Sequence, residues 1–283
     1  MKQRAHGLRR FFAPATILSF PRLVTYQVAH PAWTLPDLKV AVVADLHVCR
    51  PWTPLSRVEG IVKAVNELGT DLILLPGDFL MDRKLPGIQE PAARIINRLQ
   101  ALTAPLGVAA VLGNHDWWDC RLSRQSGFAR NSVAEALEGS GIHHLPNRAL
   151  ELQHGGGRFW LVGIDSQGAR KHLRQPGFHD PEAAFEAVPP GAPAILMAHE
   201  PDYFARGDAR AFLQISGHTH GGQANLLGWR PMTPSAHGGR YAWGHKREEG
   251  RHLIVSGGVG YSGLPLRLLQ PPEIVVVTVT RAD

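Results

Sequence analysis

The stretch Gly217-His218-Thr219-His220-Gly221-Gly222-Gln223 places two histidines in a glycine-rich loop, directly after the apolar run of residues 212–216. Short runs rich in Val, Ile and Leu that end at Gly or a polar loop are typical of strands buried on both faces. Four similar junctions occur earlier in the chain: residues 40–44 before Asp45-Leu46-His47, residues 71–75 before Gly77-Asp78, residues 107–112 before Gly113-Asn114-His115-Asp116, and residues 194–198 before His199. Because the carboxyl ends of neighbouring strands meet at one edge of an open α/β sheet, we expect the five loops to converge.

The loops carry carboxylate, amide and imidazole groups, a donor set that suits Mn, Fe or Zn. The donors are numerous enough for two divalent ions that share one bridging carboxylate, and Asp78, alone on its glycine-preceded loop, is placed for that role. Two such ions neutralise a phosphodiester or pyrophosphate and make hydroxide from bound water near neutral pH. The only cysteines are Cys49 and Cys120, which excludes a thiolate metal cage and a disulfide framework. Each motif is weak alone, but the ordered set of five favours a hydrolytic two-metal centre over structural loops.

Helix and strand signals between these loops predict an α/β fold. Ser56-Arg57-Val58-Glu59 is a candidate capping box, and Asp180-Pro181 supplies an N-cap followed by proline. Other predicted elements are helices over residues 90–102 and 132–137, a hairpin of residues 149–153 and 158–164, and a terminal strand over residues 273–280. This pattern favours two packed mixed sheets with helices outside, within a single domain over residues 37–283.

The net charge of +6 is concentrated near the N-terminus. Residues 1–36 hold five basic residues and no acidic one, and removing these five from the 30 basic residues leaves 25 against 24 acidic residues. A near-neutral body argues against nucleic acid as a partner. Residues 1–36 are also partly apolar, so we predict a basic apolar arm that lies on an anionic membrane surface. Prolines and Arg22 interrupt the arm, which makes its apolar stretch too short to span a bilayer.

Two other interpretations of the arm stay open. It is either a disordered basic tail or a twin-arginine export signal at Leu8-Arg9-Arg10-Phe11-Phe12. A short, proline-broken apolar stretch without a clear small-residue cleavage site argues against export. The membrane interpretation predicts a cytoplasmic protein that is peripheral on the inner membrane.

From about Leu38 to the C-terminus, the five motifs resemble those of the calcineurin-like metallophosphoesterases. This resemblance implies a four-layer αββα sandwich of two mixed β-sheets flanked by helices, with attack on the substrate by a metal-bridging hydroxide. The implied metal ligands are Asp45, His47 and His220 for the first ion, Asn114, His199 and His218 for the second, and Asp78 as the bridge. His115 would be the catalytic proton donor or charge stabiliser, and Asp116 would orient it. Asn114 would also bind substrate, and Arg267 is expected either to contact phosphate or to form an ion pair with Glu273.

The C-terminal part of the chain is similar to small, envelope-associated bacterial phosphodiesterases. The similarity rests on the Gly217–Gln223 stretch followed by Tyr241-x-x-Gly244, Ser256-Gly257-Gly258-Val259-Gly260, Pro265-x-Arg267 and Glu273. Some of these relatives are pyrophosphatases that cleave UDP-diacylglucosamine during lipid A assembly. The resemblance therefore implies a dinuclear phosphodiesterase or pyrophosphatase that acts on a lipid-linked substrate at the membrane. One departure is Glu200, which stands where an Asn commonly follows the histidine and puts a negative charge near the site.

Two alternative functions stay open. The first is a phosphodiesterase that acts on nucleotides or nucleic acid. The second is a noncatalytic scaffold that binds metal, and the presence of a ligand at every expected position argues against it.

Overall fold

The computed structural model describes residues 15–16 and 19–282, whose longer strands form two six-stranded sheets. The strands are β1 (Ala15–Thr16), β2 (Arg22–His30), β3 (Leu38–Val42), β4 (Cys49–Arg50), β5 (Leu72–Leu75), β6 (Ile88–Gln89), β7 (Val108–Ala110), β8 (His143–His144), β9 (Arg148–His154), β10 (Gly157–Ile164), β11 (Ala194–Ala198), β12 (Leu213–Ser216), β13 (Gly244–Glu248), β14 (Arg251–Val255), β15 (Arg267–Leu268) and β16 (Glu273–Arg281). The α-helices are α1 (Leu55–Asn66), α2 (Ala92–Leu99), α3 (Asn114–Trp118), α4 (Arg121–Gln125), α5 (Ser132–Leu137) and α6 (Pro181–Phe185). Short 3₁₀ helices cover Lys171–Leu173, Pro201–Arg206, His220–Gly222 and Gly238–Tyr241.

Both large sheets mix parallel and antiparallel pairs. The first sheet has the order β2-β16-β3-β5-β7-β8, in which only the β16–β3 pair is antiparallel. The second has the order β13-β14-β12-β11-β10-β9, with four parallel central strands and an antiparallel strand at each edge. Two small antiparallel pairs, β1–β15 and β4–β6, lie apart from them.

The two sheets pack face to face, and helices cover their outer faces. Because side chains alternate along a strand, Val40 and Val42 of β3 meet Ile195 and Met197 of β11 in the apolar core between the sheets. The other face of the first sheet packs against α1, α2 and α5. Phe185 of α6 packs on the outer face of the second sheet. The predicted four-layer αββα sandwich is therefore confirmed.

Most predicted elements occur, although their boundaries shift by a few residues. All five apolar runs are strands, and the predicted hairpin is β9–β10. The side chain of Asp180 caps α6 by accepting from the backbone N–H of Ala183 at 3.1 Å. The predicted capping box at Ser56 is wrong: α1 begins at Leu55 after Pro54 without a side-chain cap, because Ser56 and Glu59 both lie inside the helix.

The N-terminal boundary at residue 36 needs correction. Strand β2 pairs with β16 along nine residues and forms an edge of the first sheet. Trp33 is fully buried and packs edge-on against Phe159, with ring centroids 5.2 Å apart. Arg22, counted in the predicted arm, pairs with Glu273 at 3.2 Å. The chain therefore enters the folded domain no later than β2, within the predicted arm.

The remaining part of the arm bears on the membrane prediction. Residues 1–14, which include the stretch Leu8–Phe12 considered as an export signal, lie outside the described residues. Within the described residues, no helix combines the length and apolar character needed to cross a bilayer.

Candidate metal centre

The five predicted loops meet at the carboxyl ends of β3, β5, β7, β11 and β12. Two groups of side chains there bring their ligand atoms within 4.8 Å of one another: Asp45, His47 and His220 in one, and Asp78, His199 and His218 in the other. Asn114 lies beside the second group, its Oδ1 3.2 Å from His199 Nε2. The structure therefore brings together all seven predicted metal ligands in two clusters.

Asp78 lies between the two groups. Its Oδ2 atom is 3.5 Å from Nε2 of His47 and 3.1 Å from Nε2 of His199, and these histidines belong to different groups. Its Oδ1 atom accepts a hydrogen bond from the backbone N–H of His115 at 2.8 Å. That bond fixes the carboxylate with its second oxygen directed between the groups, the geometry that a bridging ligand requires.

Outer hydrogen bonds set which imidazole nitrogen faces the centre. His47 and His199 donate their Nδ1–H groups to backbone carbonyls at 2.9 and 2.7 Å, which leaves their Nε2 atoms facing inward. His218 is turned the other way and donates Nε2–H to a loop carbonyl at 3.0 Å. Histidines that bind metals are commonly held by such bonds on the opposite nitrogen. Burial lowers the pKa of His47 and of His218 to about 4, so both offer neutral lone pairs.

Unpartnered polar atoms show that these residues fit cations. Asp45 Oδ2, Asp78 Oδ2 and His218 Nδ1 are buried without a hydrogen-bond partner among the described residues. A buried acceptor without a partner costs about 1–3 kcal/mol, more when it is charged, so three at one place are unfavourable unless a cation binds them. Burial and the charge of Asp78 also raise the pKa of Asp45 to about 7, and the positive charges of His199 and Arg267 offset this only in part. The two groups thus have the chemistry and geometry for two divalent ions.

The backbone around the ligands is strained. Five ligand residues have positive φ angles, a conformation that non-glycine residues rarely adopt: Asp45 (54°), His47 (42°), Asp78 (58°), His218 (71°) and His220 (51°). Strain of this kind costs about 1–3 kcal/mol per residue and clusters at functional sites. Gly113 leaves room for the Asp78 carboxylate, because a Cβ atom at that position would lie 2.2 Å from Asp78 Oδ1.

The structure corrects the predicted role of Asp116. His115 hydrogen-bonds through Nδ1 to Asp119 Oδ2 at 2.7 Å, so Asp119 orients the imidazole. His115 is the second residue of α3 and Asp119 follows its last residue. The two are therefore four apart on one helix face, whereas Asp116 points elsewhere. The carboxylate of Asp116 instead accepts hydrogen bonds at 2.8–3.0 Å from four backbone N–H groups, those of Asp78, Phe79, Leu80 and Gly113. Asp116 therefore ties two ligand loops together, and sequence reasoning overlooked Asp119.

The predicted contact of Arg267 with phosphate is also corrected. The residue is fully buried. Its guanidinium donates to the carbonyls of Gly257 and Gly260 at 2.7 and 2.6 Å, and its Nη2 atom lies 3.1 Å from Nδ1 of His220. Arg267 therefore supports the His220 side of the centre from behind and does not line the cleft. Burial lowers the pKa of Arg267 to about 10, and the charges of Asp45 and of Glu273, its predicted alternative partner, raise it. Glu273 also pairs with Arg22.

A cleft of about 570 Å³ opens over the ligands, and Asn114, His115, His218 and His220 form part of its lining. One wall is the loop of residues 166–168. The carboxylate of Glu200 holds this loop by accepting from Ser166 Oγ and from the backbone N–H groups of Gln167 and Gly168, the latter two at 3.0 Å. The Glu200 carboxylate therefore stabilises this wall of the cleft through its hydrogen bonds.

The four-layer sandwich and the paired ligand groups at its strand ends define a metal-dependent phosphoester hydrolase. The chain belongs to the calcineurin-like phosphoesterase family, whose family model matches residues 38–222. The predicted family and enzyme class are confirmed.

Two bacterial relatives support this family assignment. Phosphodiesterase YaeI of Escherichia coli (strain K12) is 31% identical over 259 residues, covering 90% of this chain and 87% of the relative. The uncharacterized metallophosphoesterase YkuE of Bacillus subtilis (strain 168) is 28% identical over 243 residues, covering 85% of this chain and 78% of the relative. The solved structure of Haemophilus influenzae NAD nucleotidase (NadN) is similar at 12% identity and a TM-score of 0.48, covering 78% of this chain and 45% of that chain.

Proposed function

We propose that the protein is a dinuclear metal-dependent phosphodiesterase or pyrophosphatase. The observation that carries this proposal is the position of Asp78 Oδ2 between His47 and His199, with members of both ligand groups lining an open cleft. Two divalent ions held there would neutralise the charge of a phosphate and lower the pKa of a bound water. Mixed oxygen and nitrogen donors suit Mn, Fe or Zn.

His115 is the proton donor of the proposed reaction. Its imidazole lines the cleft. Burial lowers the pKa of His115, but Asp78, the hydrogen bond to Asp119, and Asp82 together raise the pKa to about 9. The group is therefore protonated at neutral pH and can donate a proton to a leaving oxygen. Lys84 and Lys171 also line the cleft and supply positive charge for phosphate oxygens.

The proposed substrate is a lipid-linked diester or pyrophosphate such as UDP-diacylglucosamine, cleaved at the membrane surface. The relative YaeI is named a phosphodiesterase, which supports a phosphodiester as the substrate. Trp118 and Met232 line the cleft beside polar groups, which suits a substrate with ring or apolar parts. The cleft volume of about 570 Å³ lies within the range of small-molecule sites.

The proposed partner of the N-terminal arm is an anionic membrane, which would make the protein cytoplasmic and peripheral on the inner membrane. Lys2, Arg4, Arg9 and Arg10 support this, because basic residues near a membrane surface each contribute about 1 kcal/mol of attraction. Changing these four residues to glutamine is expected to weaken binding to vesicles that contain phosphatidylglycerol. Unchanged binding of that variant would remove the arm from the proposal.

The test of catalysis uses metal-loaded protein and a soluble aryl phosphodiester. Asp78→Asn is expected to abolish turnover, because a neutral amide cannot bridge two cations as a carboxylate does. Asp37→Asn is the matched control, since Asp37 is exposed and precedes β3 at the end opposite to Asp45. Turnover by Asp78→Asn at the wild-type rate would contradict the proposal.

A second assay addresses the lipid-linked substrate. Metal-loaded protein is incubated with UDP-diacylglucosamine, and the release of UMP is measured. Release at a rate comparable with diester turnover supports the lipid-linked substrate. Activity on the aryl diester without UMP release would refute that substrate and leave the enzyme class intact.

A further inference from the structure

Exposed apolar side chains are concentrated beside the cleft. Among the described residues, eleven large apolar side chains are exposed, and seven of them lie on two loops: Leu226, Leu227, Trp229 and Met232 on one, and Leu264, Leu266 and Leu269 on the other. We call these seven residues the apolar rim. Clustered exposure of this kind on a soluble surface marks an interaction site, whereas isolated exposed leucines are ordinary.

The two loops of the apolar rim form one continuous surface. The backbone N–H of Asn225 donates to the carbonyl of Leu268 at 2.9 Å. The side chain of Gln223 donates to the carbonyl of Ser262 at 2.7 Å, which joins the start of the first loop to the second. Met232, Ser262 and Gln223 also line the cleft, so the apolar rim borders the opening of the candidate metal centre.

The tip of the first loop exposes a leucine where a polar residue would be favoured. Leu226 and Trp229 exchange backbone hydrogen bonds at 2.9 and 3.1 Å and enclose a two-residue turn. Both central residues have positive φ, 55° at Leu227 and 101° at Gly228, a turn that prefers Asn-Gly. Leu227 is nevertheless fully exposed. The position therefore carries backbone strain and apolar exposure together, which a partner that buries the side chain would offset.

Charge identifies the class of partner. Residues 221–247 and 256–272 contain no acidic residue, while Arg230 lies within the first loop. Strand β15 in the second loop pairs with β1, so residues 15 and 16, which follow four basic residues in the sequence, lie beside the second loop of the apolar rim. Exposed leucine, methionine and tryptophan side chains on loops whose own sequence is basic match the interface of an anionic bilayer.

We propose that the apolar rim inserts into the surface of an anionic lipid bilayer and orients the cleft towards it. The inference rests on the proposed function only in taking the bilayer as the source of the substrate. Insertion would place the mouth of the cleft at the headgroup level, so that a phosphate attached to a lipid enters without leaving the membrane.

The test is binding of the full chain to vesicles of phosphatidylcholine with and without phosphatidylglycerol. The double variant Leu227→Asp, Leu264→Asp is expected to bind the anionic vesicles at least about tenfold more weakly, because each aspartate prevents burial of a leucine and adds repulsion. Ile88→Asp is the matched control, since Ile88 is 61% exposed, close to the 58% of Leu264, but lies on β6. This control is expected to stay within about twofold of the wild type.

Three further measurements keep the outcomes separate: the melting temperature, the aryl phosphodiester turnover and the oligomeric state of each protein. Equal melting temperatures show that the variants fold, and aryl phosphodiester turnover reports the candidate metal centre independently of vesicle binding. If neither the wild type nor any variant hydrolyses the aryl phosphodiester, but vesicle binding changes as expected, the proposed function is refuted and the bilayer inference stands. Binding of the double variant at wild-type strength, or no binding by the wild type, would overturn the inference. A wild-type dimer that the double variant converts to monomer, without vesicle binding, would assign the apolar rim to a second copy and also overturn it.

Discussion

Substitution of Asp119 by asparagine is expected to shift the pH dependence of catalysis. The 2.7 Å contact between Asp119 Oδ2 and His115 Nδ1 is a hydrogen bond to a charged group, which contributes about 1.5–3 kcal/mol. Because one pKa unit corresponds to about 1.4 kcal/mol, its loss lowers the pKa of His115 by about 1–2 units. The pKa of His115 would then fall from about 9 to about 7–8.

The sign of the effect follows from the role of His115 as a proton donor. The protonated imidazole is the active form, so turnover falls as the pH rises through its pKa. At pH 8 the protonated fraction would decrease from about nine-tenths to between about one-half and one-tenth, a two- to tenfold loss of kcat. At pH 6 this protonation effect disappears. Cations bound nearby lower the pKa in both proteins, so the shift between the two proteins is the quantity to compare.

The assay is the rate of aryl phosphodiester hydrolysis between pH 5.5 and 10, as measured for wild type and Asp119→Asn loaded with the same metal. Asp37→Asn, an exposed aspartate away from α3, is the control for a change of one charge. A falling limb at the same pH in Asp119→Asn and wild type would refute the assignment of Asp119.

Three other substitutions follow from the same contacts. Asp116→Asn is expected to lower the free energy of unfolding of the metal-free protein by about 1–3 kcal/mol, because an amide cannot accept from all four backbone N–H groups. Calorimetry would show this loss as a lower melting temperature. Glu200→Ala releases the loop of residues 166–168 and is expected to raise KM for a soluble diester severalfold with a smaller change in kcat, in steady-state kinetics. Gly113→Ala puts a Cβ atom against Asp78 Oδ1 and is expected to lower metal content from two ions to one or none, by elemental analysis.

Each of these substitutions has a matched control and a contradicting result. Asp37→Asn should melt with the wild type, and a similar melting temperature for Asp116→Asn would contradict its loop-tying role. Glu186→Ala removes an exposed glutamate and should leave KM unchanged, while a fall in kcat alone for Glu200→Ala would contradict a role in the cleft wall. Gly239→Ala meets no atom within 4 Å, so full metal content in both glycine variants would contradict the close approach at Gly113.

The layers of the fold and the clustering of the ligands were predictable because both follow from local sequence. A buried parallel strand needs a continuous apolar run, and the polar residue that ends it lies at the sheet edge. Strand β2 was not predicted, because a half-buried alternation is a weak local signal and the strand gains its place from pairing with the distant β16. Contacts between residues about 250 positions apart leave no local signal.

The supporting residues of the candidate site were harder to predict than its ligands. The four-residue spacing of His115 and Asp119 was a usable signal, but it has meaning only if α3 begins at Asn114. The position of Arg267 behind His220 depends on how the second loop of the apolar rim folds back, which no spacing reveals. The positive φ angles at Asp45, Asp78 and His218 likewise arise from the packing of loops against one another.

Anomalous X-ray diffraction from crystals of the manganese-loaded protein tests the central claim most directly. We expect two anomalous peaks about 3.5–4 Å apart, the usual spacing of a two-metal site, with Asp78 Oδ2 between them. Asp45, His47 and His220 should surround one peak, and Asn114, His199 and His218 the other. A single peak, or two peaks that do not share Asp78, would contradict the dinuclear centre.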